Sequence, residues 1–147
     1  MPAGVLVVIL LGALCVDSAV AYLGQQQLRS ALVAAANDSA AAALQDSSFY
    51  RRGAVRVDPA AAARTVCADL AAQADSDLHG IRVWMSAGGN TVRLEGAATV
   101  DAVFGRAIPG FGRRHVRAAA TAVAATGPSV PRVRPGVAPV LVACPAG

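Results

Sequence analysis

The first sixteen residues carry no charged side chain, and this apolar start limits what the chain can fold into more than any other feature. The run from Val5 to Leu11 is strongly apolar, and apolar character resumes after Asp17 and continues to Leu23. As one helix, residues 3–23 would span about 31 Å, which is enough to cross the hydrocarbon core of a bilayer. The sequence therefore predicts a transmembrane helix at 3–23, with Tyr22 at an interface.

A cleaved signal peptide is the alternative interpretation of this segment. Ala19-Val20-Ala21 is an A-x-A site, and the apolar run before it has the length of a signal-peptide core. Two features favour retention of the helix: no Lys or Arg precedes the run, and Asp17 stands between the run and the site. The cleaved form would be a secreted protein with a binding role.

Asp17 is the one costly residue of the predicted span. A carboxylate at the centre of a membrane helix costs about 2.5–3.5 kcal/mol, and less near the headgroups. Either the side chain lies close to the headgroups and is solvated, or it pairs with a positive group on a neighbouring subunit. Both interpretations stay open, and the second makes Asp17 a candidate subunit contact.

The three cysteines help to indicate the cellular compartment in which the domain lies. Cys15 lies inside the apolar segment, which leaves Cys67 and Cys144 as a possible pair. They lack CxxC spacing and only His79 and His115 accompany them, so a zinc site is not expected. A disulfide between them would fit an oxidising compartment. Two unpaired, buried thiols are the alternative.

The helix is predicted to continue past the membrane as a stem over residues 24–46, because no Pro interrupts it. Small and medium apolar residues recur every four positions and form a narrow ridge. This ridge would let another helix approach closely, or would pack on the chain's own domain. Its members are Leu28, Leu32, Ala36, Ala40 and Leu44.

An α+β domain is predicted over residues 55–126. Asp58-Pro59 is typical of an N-cap followed by proline at the first helical position, with a helix to about Ala74. Alternating apolar residues on either side of Gly88-Gly89-Asn90 predict a hairpin. A loop at 101–114 and a third strand from about His115 to Ala124 complete a three-stranded antiparallel meander. The tail, residues 127–147, contains five prolines and ends in an apolar stretch before Cys144.

Composition and motifs argue against an enzyme. Apolar residues make up 55% of the chain but aromatic residues only 4%, so we expect a thin core and no deep pocket for a small-molecule substrate. The net charge of +4 comes from scattered arginines without interleaved aromatic residues, which does not favour nucleic-acid binding. The glycines of 105–112 lack the pattern of a phosphate loop. Glu95 is the only Glu, and we expect it to pair across strands with Arg82 or Arg117. We expect no catalytic residues, no cofactor and no metal.

The order of the segments resembles the TadE/TadG-like proteins of the tight-adherence (Flp) pilus-assembly system. The stretch Val5–Leu23, with Cys15-Val16-Asp17 and Ala21-Tyr22, resembles the family's hydrophobic helix, and Gln27–Ala43 resembles its Ala-rich stem. Three further stretches resemble its closing strand, loop and strand: Val92–Val100, Ile108–Gly112 and Val116–Ala122. The family's usual basic stretch before the helix has no counterpart here, and no Glu follows at the position typical of pilins.

The resemblance implies a pilin-like fold and a minor pilin or pseudopilin that acts in pilus assembly or secretion. Its partners would be the lipid bilayer and other pilus or secretion-system subunits. It would reside in the inner (cytoplasmic) membrane as a single-pass protein with an extracytoplasmic C-terminal domain. An accessory or sensor subunit of an envelope complex would share the same anchor and stays open.

Overall fold

A computed structural model describes residues 2–44, 55–72, 78–107, 112–124 and 138–144. The fold is α+β, with two α-helices against one antiparallel sheet. In chain order the elements are α1 (Pro2–Ala42), α2 (Pro59–Ala72), β1 (Leu78–Gly88), β2 (Thr91–Asp101), a 3-10 turn (Gly105–Ala107), β3 (Arg113–Val123) and β4 (Val140–Leu141).

The predicted long N-terminal helix is confirmed, because α1 runs without interruption for 41 residues. Its two halves differ in their surroundings. From Ala3 to Val16 the side chains are exposed, apart from a half-buried Ala13. From Asp17 onward one face is buried against the domain. This is the one helix in the described part of the chain that is long and apolar enough to cross a membrane.

The sheet confirms the predicted meander and adds a strand to it, in the order β3-β2-β1-β4. The hairpin between β1 and β2 closes through Gly89 and Asn90, with Gly88 opposite Thr91. Gly89 has a φ of +67°, which side chains rarely adopt. Of the apolar residues predicted to alternate along the hairpin, Val83, Met85, Val92 and Leu94 are buried, and Ile81 is half-buried.

Both helices pack on the same face of the sheet. Asp58 caps α2 as predicted, because its Oδ1 accepts hydrogen bonds from the backbone N–H groups of Ala60 (2.8 Å) and Ala61 (3.4 Å). Ala62 and Val66 then face the core, and Leu70 is half-buried. A backbone hydrogen bond of 2.8 Å, from the Asp58 N–H to the Ala43 carbonyl, joins the C-terminal end of α1 to the N-terminal end of α2.

Glycine lets the helix α1 approach the sheet closely. A Cβ at Gly96 on β2 would lie 2.8 Å from Cδ1 of Leu32, and a Cβ at Gly24 would overlap the Val100 side chain. Leu28 and Leu32, both fully buried, fill the space over Gly96, and Val100 fills the space beside Gly24. The core is thin, as expected from composition, because the backbone of α1 lies close to the backbone of the sheet.

The C-terminal tail docks on the free edge of β1. Leu141 and Val140 pair with Trp84 and Met85, and the Val142 N–H donates to the Val83 carbonyl at 2.9 Å. Cys67 and Cys144 form a disulfide, with their Cα atoms 5.3 Å apart. This is the disulfide alternative, and it joins the tail to α2.

Two expectations from the sequence need correction. The loop predicted at 101–114 is shorter, because β2 extends to Asp101 and β3 begins at Arg113. Glu95 was expected to pair across strands with Arg82 or Arg117, but it binds Arg93 on its own strand at 2.9 Å. Residues two apart on one strand share a face, so the shorter reach wins.

Several predicted boundaries lie outside the described residues. These are the end of the stem at 45–46, the end of the second helix at 73–74, the end of the domain at 125–126, and most of the tail, 127–137 and 145–147.

Candidate functional site at the helix–domain junction

Asp17 joins the N-terminal helix to the domain. Its Oδ1 accepts hydrogen bonds from the backbone N–H groups of Val103 and Phe104, both at 2.9 Å, and its Oδ2 accepts one from Gly105 at 2.8 Å. The residue is only 7% exposed. We call this carboxylate and its three amide donors the Asp17 clasp.

The local backbone explains why three consecutive amides converge on one carboxylate. Val103 to Gly105 lead into the 3-10 turn Gly105–Ala107, and the first N–H groups of such a turn have no carbonyl partner within it. Successive free amides form a concave site for an anion. Asp17, from a position 86 to 88 residues earlier in the chain, fills that site.

Neither interpretation of Asp17 from the sequence anticipated this arrangement. The carboxylate is not free in solvent, and its hydrogen bonds go to its own chain. A pairing with a neighbouring subunit stays a prediction. No local pattern could have identified the clasp, although a lone charge in an apolar segment was the correct signal that Asp17 is special.

The helix-packing ridge lies against the chain's own domain. Leu28, Leu32, Ala36 and Ala40 are at most 3% exposed, packed in one core with residues of the sheet and of α2. Leu44 lies past the end of α1, is 43% exposed, and forms an isolated bridge with Val57. The opposite side of α1 carries exposed residues such as Val33.

The loop beside the clasp exposes apolar and basic side chains. We use the name junction loop for residues 102–107. Val103 and Phe104 are 55% and 51% exposed. The Arg106 guanidinium binds the Asp101 carboxylate, and Arg113 lies 3.9 Å from the same carboxylate.

A second carboxylate, Asp69 on α2, is in the opposite situation to Asp17. Its Oδ2 is buried and has no hydrogen-bond partner among the described residues. Burial raises the pKa of Asp69 above its ordinary value, and the nearby Asp38 carboxylate on α1 raises it further. The ionised form of this side chain therefore weakens the contact between the two helices.

Groups that could hold a metal are not found in the described ranges, where no three His, Cys, Asp or Glu side chains come together. Cys15 is a free, exposed thiol on the unburied part of α1.

Comparisons with protein-family models, with curated proteins and with solved structures found no match to this chain. Function is therefore inferred from the residues and their geometry.

Proposed function

We propose that the protein is a membrane-anchored TadE/TadG-like minor pilin or pseudopilin that takes part in pilus assembly or secretion through protein–protein contacts. It is not an enzyme in this proposal, and it uses no cofactor. The domain would lie outside the cytoplasm, with the helix in the inner membrane.

The division of α1 into two halves is the observation that supports the proposal. From Ala3 to Val16 the side chains are exposed, apart from a half-buried Ala13, and such an apolar surface costs free energy in water and is favourable in lipid. From Asp17 to Ala42 the same helix forms part of the domain core. A subunit of this shape can be held by lipid or by neighbouring helices without any change in its folded domain.

The clasp also favours retention of the helix over cleavage. Removal of the chain up to Ala21 would delete Asp17 and leave the amides of Val103, Phe104 and Gly105 without their acceptor. Hydrogen bonds to a charged group contribute about 1.5–3 kcal/mol each, and the cleaved form would lose all three. The cleaved form would therefore begin with a weakened junction.

The disulfide fits the extracytoplasmic side. The bond between Cys67 and Cys144 persists in oxidising compartments and is rare in the cytosol. The disulfide thus supports a topology in which the domain lies on the oxidising side of the membrane, with the exposed part of α1 as its anchor.

Complementation of a deletion in the organism that encodes the chain tests the proposed role. We expect the deletion to reduce pilus assembly or secretion, and the full chain to restore it. Leu10→Arg should fail to restore, because a cation inside a membrane helix costs about 2.5–3.5 kcal/mol. Leu10→Ile is the matched control and should restore fully.

The domain should unfold at the same temperature in both Leu10 variants, since this residue is 62% exposed and precedes the part of α1 that is buried against the domain. Pilus assembly and secretion that are unchanged by the deletion would refute the pilin role. A mature chain that begins at Tyr22 in the medium would support the secreted alternative instead.

A further inference from the structure

The junction loop places two apolar side chains beside the proposed anchor. Val103 and Phe104 are about half exposed, and the clasp fixes their backbone to Asp17. We propose that Val103 and Phe104 enter the boundary between lipid headgroups and acyl chains, so that the junction loop is a second membrane contact next to the helix. The inference rests on the proposed anchoring of α1.

The position of Asp17 sets the depth of the loop. Asp17 precedes Leu23, the end of the predicted span, by six residues, which is about 9 Å along a helix. Apolar side chains of surface-bound segments enter about 5–10 Å into the headgroup–acyl boundary. Because the clasp fixes the junction loop to Asp17, the Phe104 ring lies at a depth where the apolar side chains of surface-bound segments contact acyl chains.

Hydrogen bonds to the backbone N–H groups of the junction loop allow it to lie at this depth. Irregular loops are normally excluded from lipid because their unpaired N–H and C=O groups lose water there. In the junction loop four consecutive N–H groups are bonded: Ala102 donates to the Gly112 carbonyl at 3.0 Å, and the next three donate to Asp17. The clasp thus satisfies three of the loop's donors together with the one carboxylate of the span.

The charges around the loop fit a headgroup layer. Arg106 and Arg113 have side chains that are 65% and 80% exposed, and Arg114 is exposed beside them. Asp101 offsets part of this charge. Guanidinium groups flanking an apolar tip are suited to bind lipid phosphates while the tip enters the acyl boundary.

A single-tryptophan reporter tests the inference. The variant Phe104→Trp in a Trp84→Phe background is reconstituted as the full chain in phosphatidylethanolamine–phosphatidylglycerol vesicles whose acyl chains carry bromine near the headgroups. Because a ring at a depth of about 5–10 Å meets these bromines, its emission should fall about twofold or more. Val103→Trp in the same background is a second reporter.

Trp84 of the unaltered chain is the matched control. It lies on β1 opposite Glu95 and Leu141, away from the junction loop, so its emission should change little. Circular dichroism checks that each reporter folds.

The outcomes separate the inference from the anchoring on which it rests. Unquenched reporters in a chain that resists alkaline extraction would overturn the lipid contact of the loop and leave the anchor intact. Equal quenching of the reporters and Trp84 would also overturn it, because the contact would not be local. Release of the chain from the vesicles by alkali would overturn the anchoring and the inference together.

Discussion

Asp17 connects the apolar N-terminal part of α1 to the folded domain through hydrogen bonds. Its two oxygens accept three amide hydrogen bonds from a loop that is 86 to 88 residues away in sequence. Hydrogen bonds to a charged acceptor are stronger than those between neutral groups. The free energy of unfolding and the order of the junction loop should therefore both depend on this carboxylate.

We expect Asp17→Ala to abolish the protection of the Val103, Phe104 and Gly105 amides against hydrogen exchange, because all three lose their acceptor. Ser18→Ala is the matched control. The Ser18 hydroxyl donates to the Leu14 carbonyl of its own helix at 2.7 Å, so its removal should leave the loop amides protected. Continued protection of the three amides in Asp17→Ala would contradict the clasp.

Substitution of Asp69 by a neutral residue is expected to increase the stability of the folded chain. Asp69→Asn should raise the free energy of unfolding at neutral pH, because it removes an ionised group that burial and Asp38 both disfavour. The folded-state pKa is raised, so the cost is full above that pKa and absent below the ordinary value of 3.8. The advantage of the variant should therefore shrink as pH falls through the carboxyl range.

Asp58→Asn removes the same charge from the same helix and serves as the control. Asn caps a helix about as well as Asp, so we expect a change of at most about 0.5 kcal/mol. Urea unfolding at neutral and acidic pH measures both variants. Equal stability of Asp69→Asn and the unaltered chain at neutral pH would show that Asp69 carries no such cost.

At the scale of elements, local patterns predicted most of the fold. The N-cap at Asp58, the turn at Gly89 and the alternation along β1 and β2 depend on neighbours in sequence, and all three are observed. Patterns that depend on distant residues were not predicted. The contact from Asp17 to Val103 is the example, because sequence periodicity does not determine which loop contacts which helix.

The ridge of α1 should stabilise the isolated chain. Leu32→Ala is expected to cost about 2–5 kcal/mol, because the fully buried side chain packs over Gly96. Val33→Ala, one position along and 43% exposed, should change stability by no more than about 0.5 kcal/mol. Denaturant unfolding in dilute detergent measures both, and similar costs for the two variants would contradict packing of the ridge on this domain.

The disulfide should hold β4 against the edge of β1. Loss of the bond through Cys67→Ser with Cys144→Ser is expected to cost about 4 kcal/mol, because 77 residues separate the two positions and the unfolded chain gains freedom. The Val142 amide should also lose its protection against exchange. Cys15→Ser removes a free, exposed thiol and should alter neither quantity.

An unchanged melting temperature in the double serine variant would show that the tail docks without the bond. The strand pairing of Val140 and Leu141 is only two residues long, which is why we expect the covalent link to matter.

At the scale of the whole molecule, one helix has two different surroundings along its length. Its first half presents exposed Val, Leu and Ile side chains, and its second half is a core element of an α+β domain. The apolar composition of residues 3–23 predicted the helix but not where the domain begins to cover it. The structure places that boundary at Asp17, inside the predicted span, since only tertiary contacts determine it.

Alkaline extraction of membranes, followed by intact mass measurement, tests most directly whether the N-terminal helix holds the chain in lipid. The result expected is a full-length chain that stays in the membrane pellet and dissolves only with detergent. A full-length chain in the soluble fraction without detergent would contradict membrane anchoring, and so would a mature chain that has lost residues 1–21.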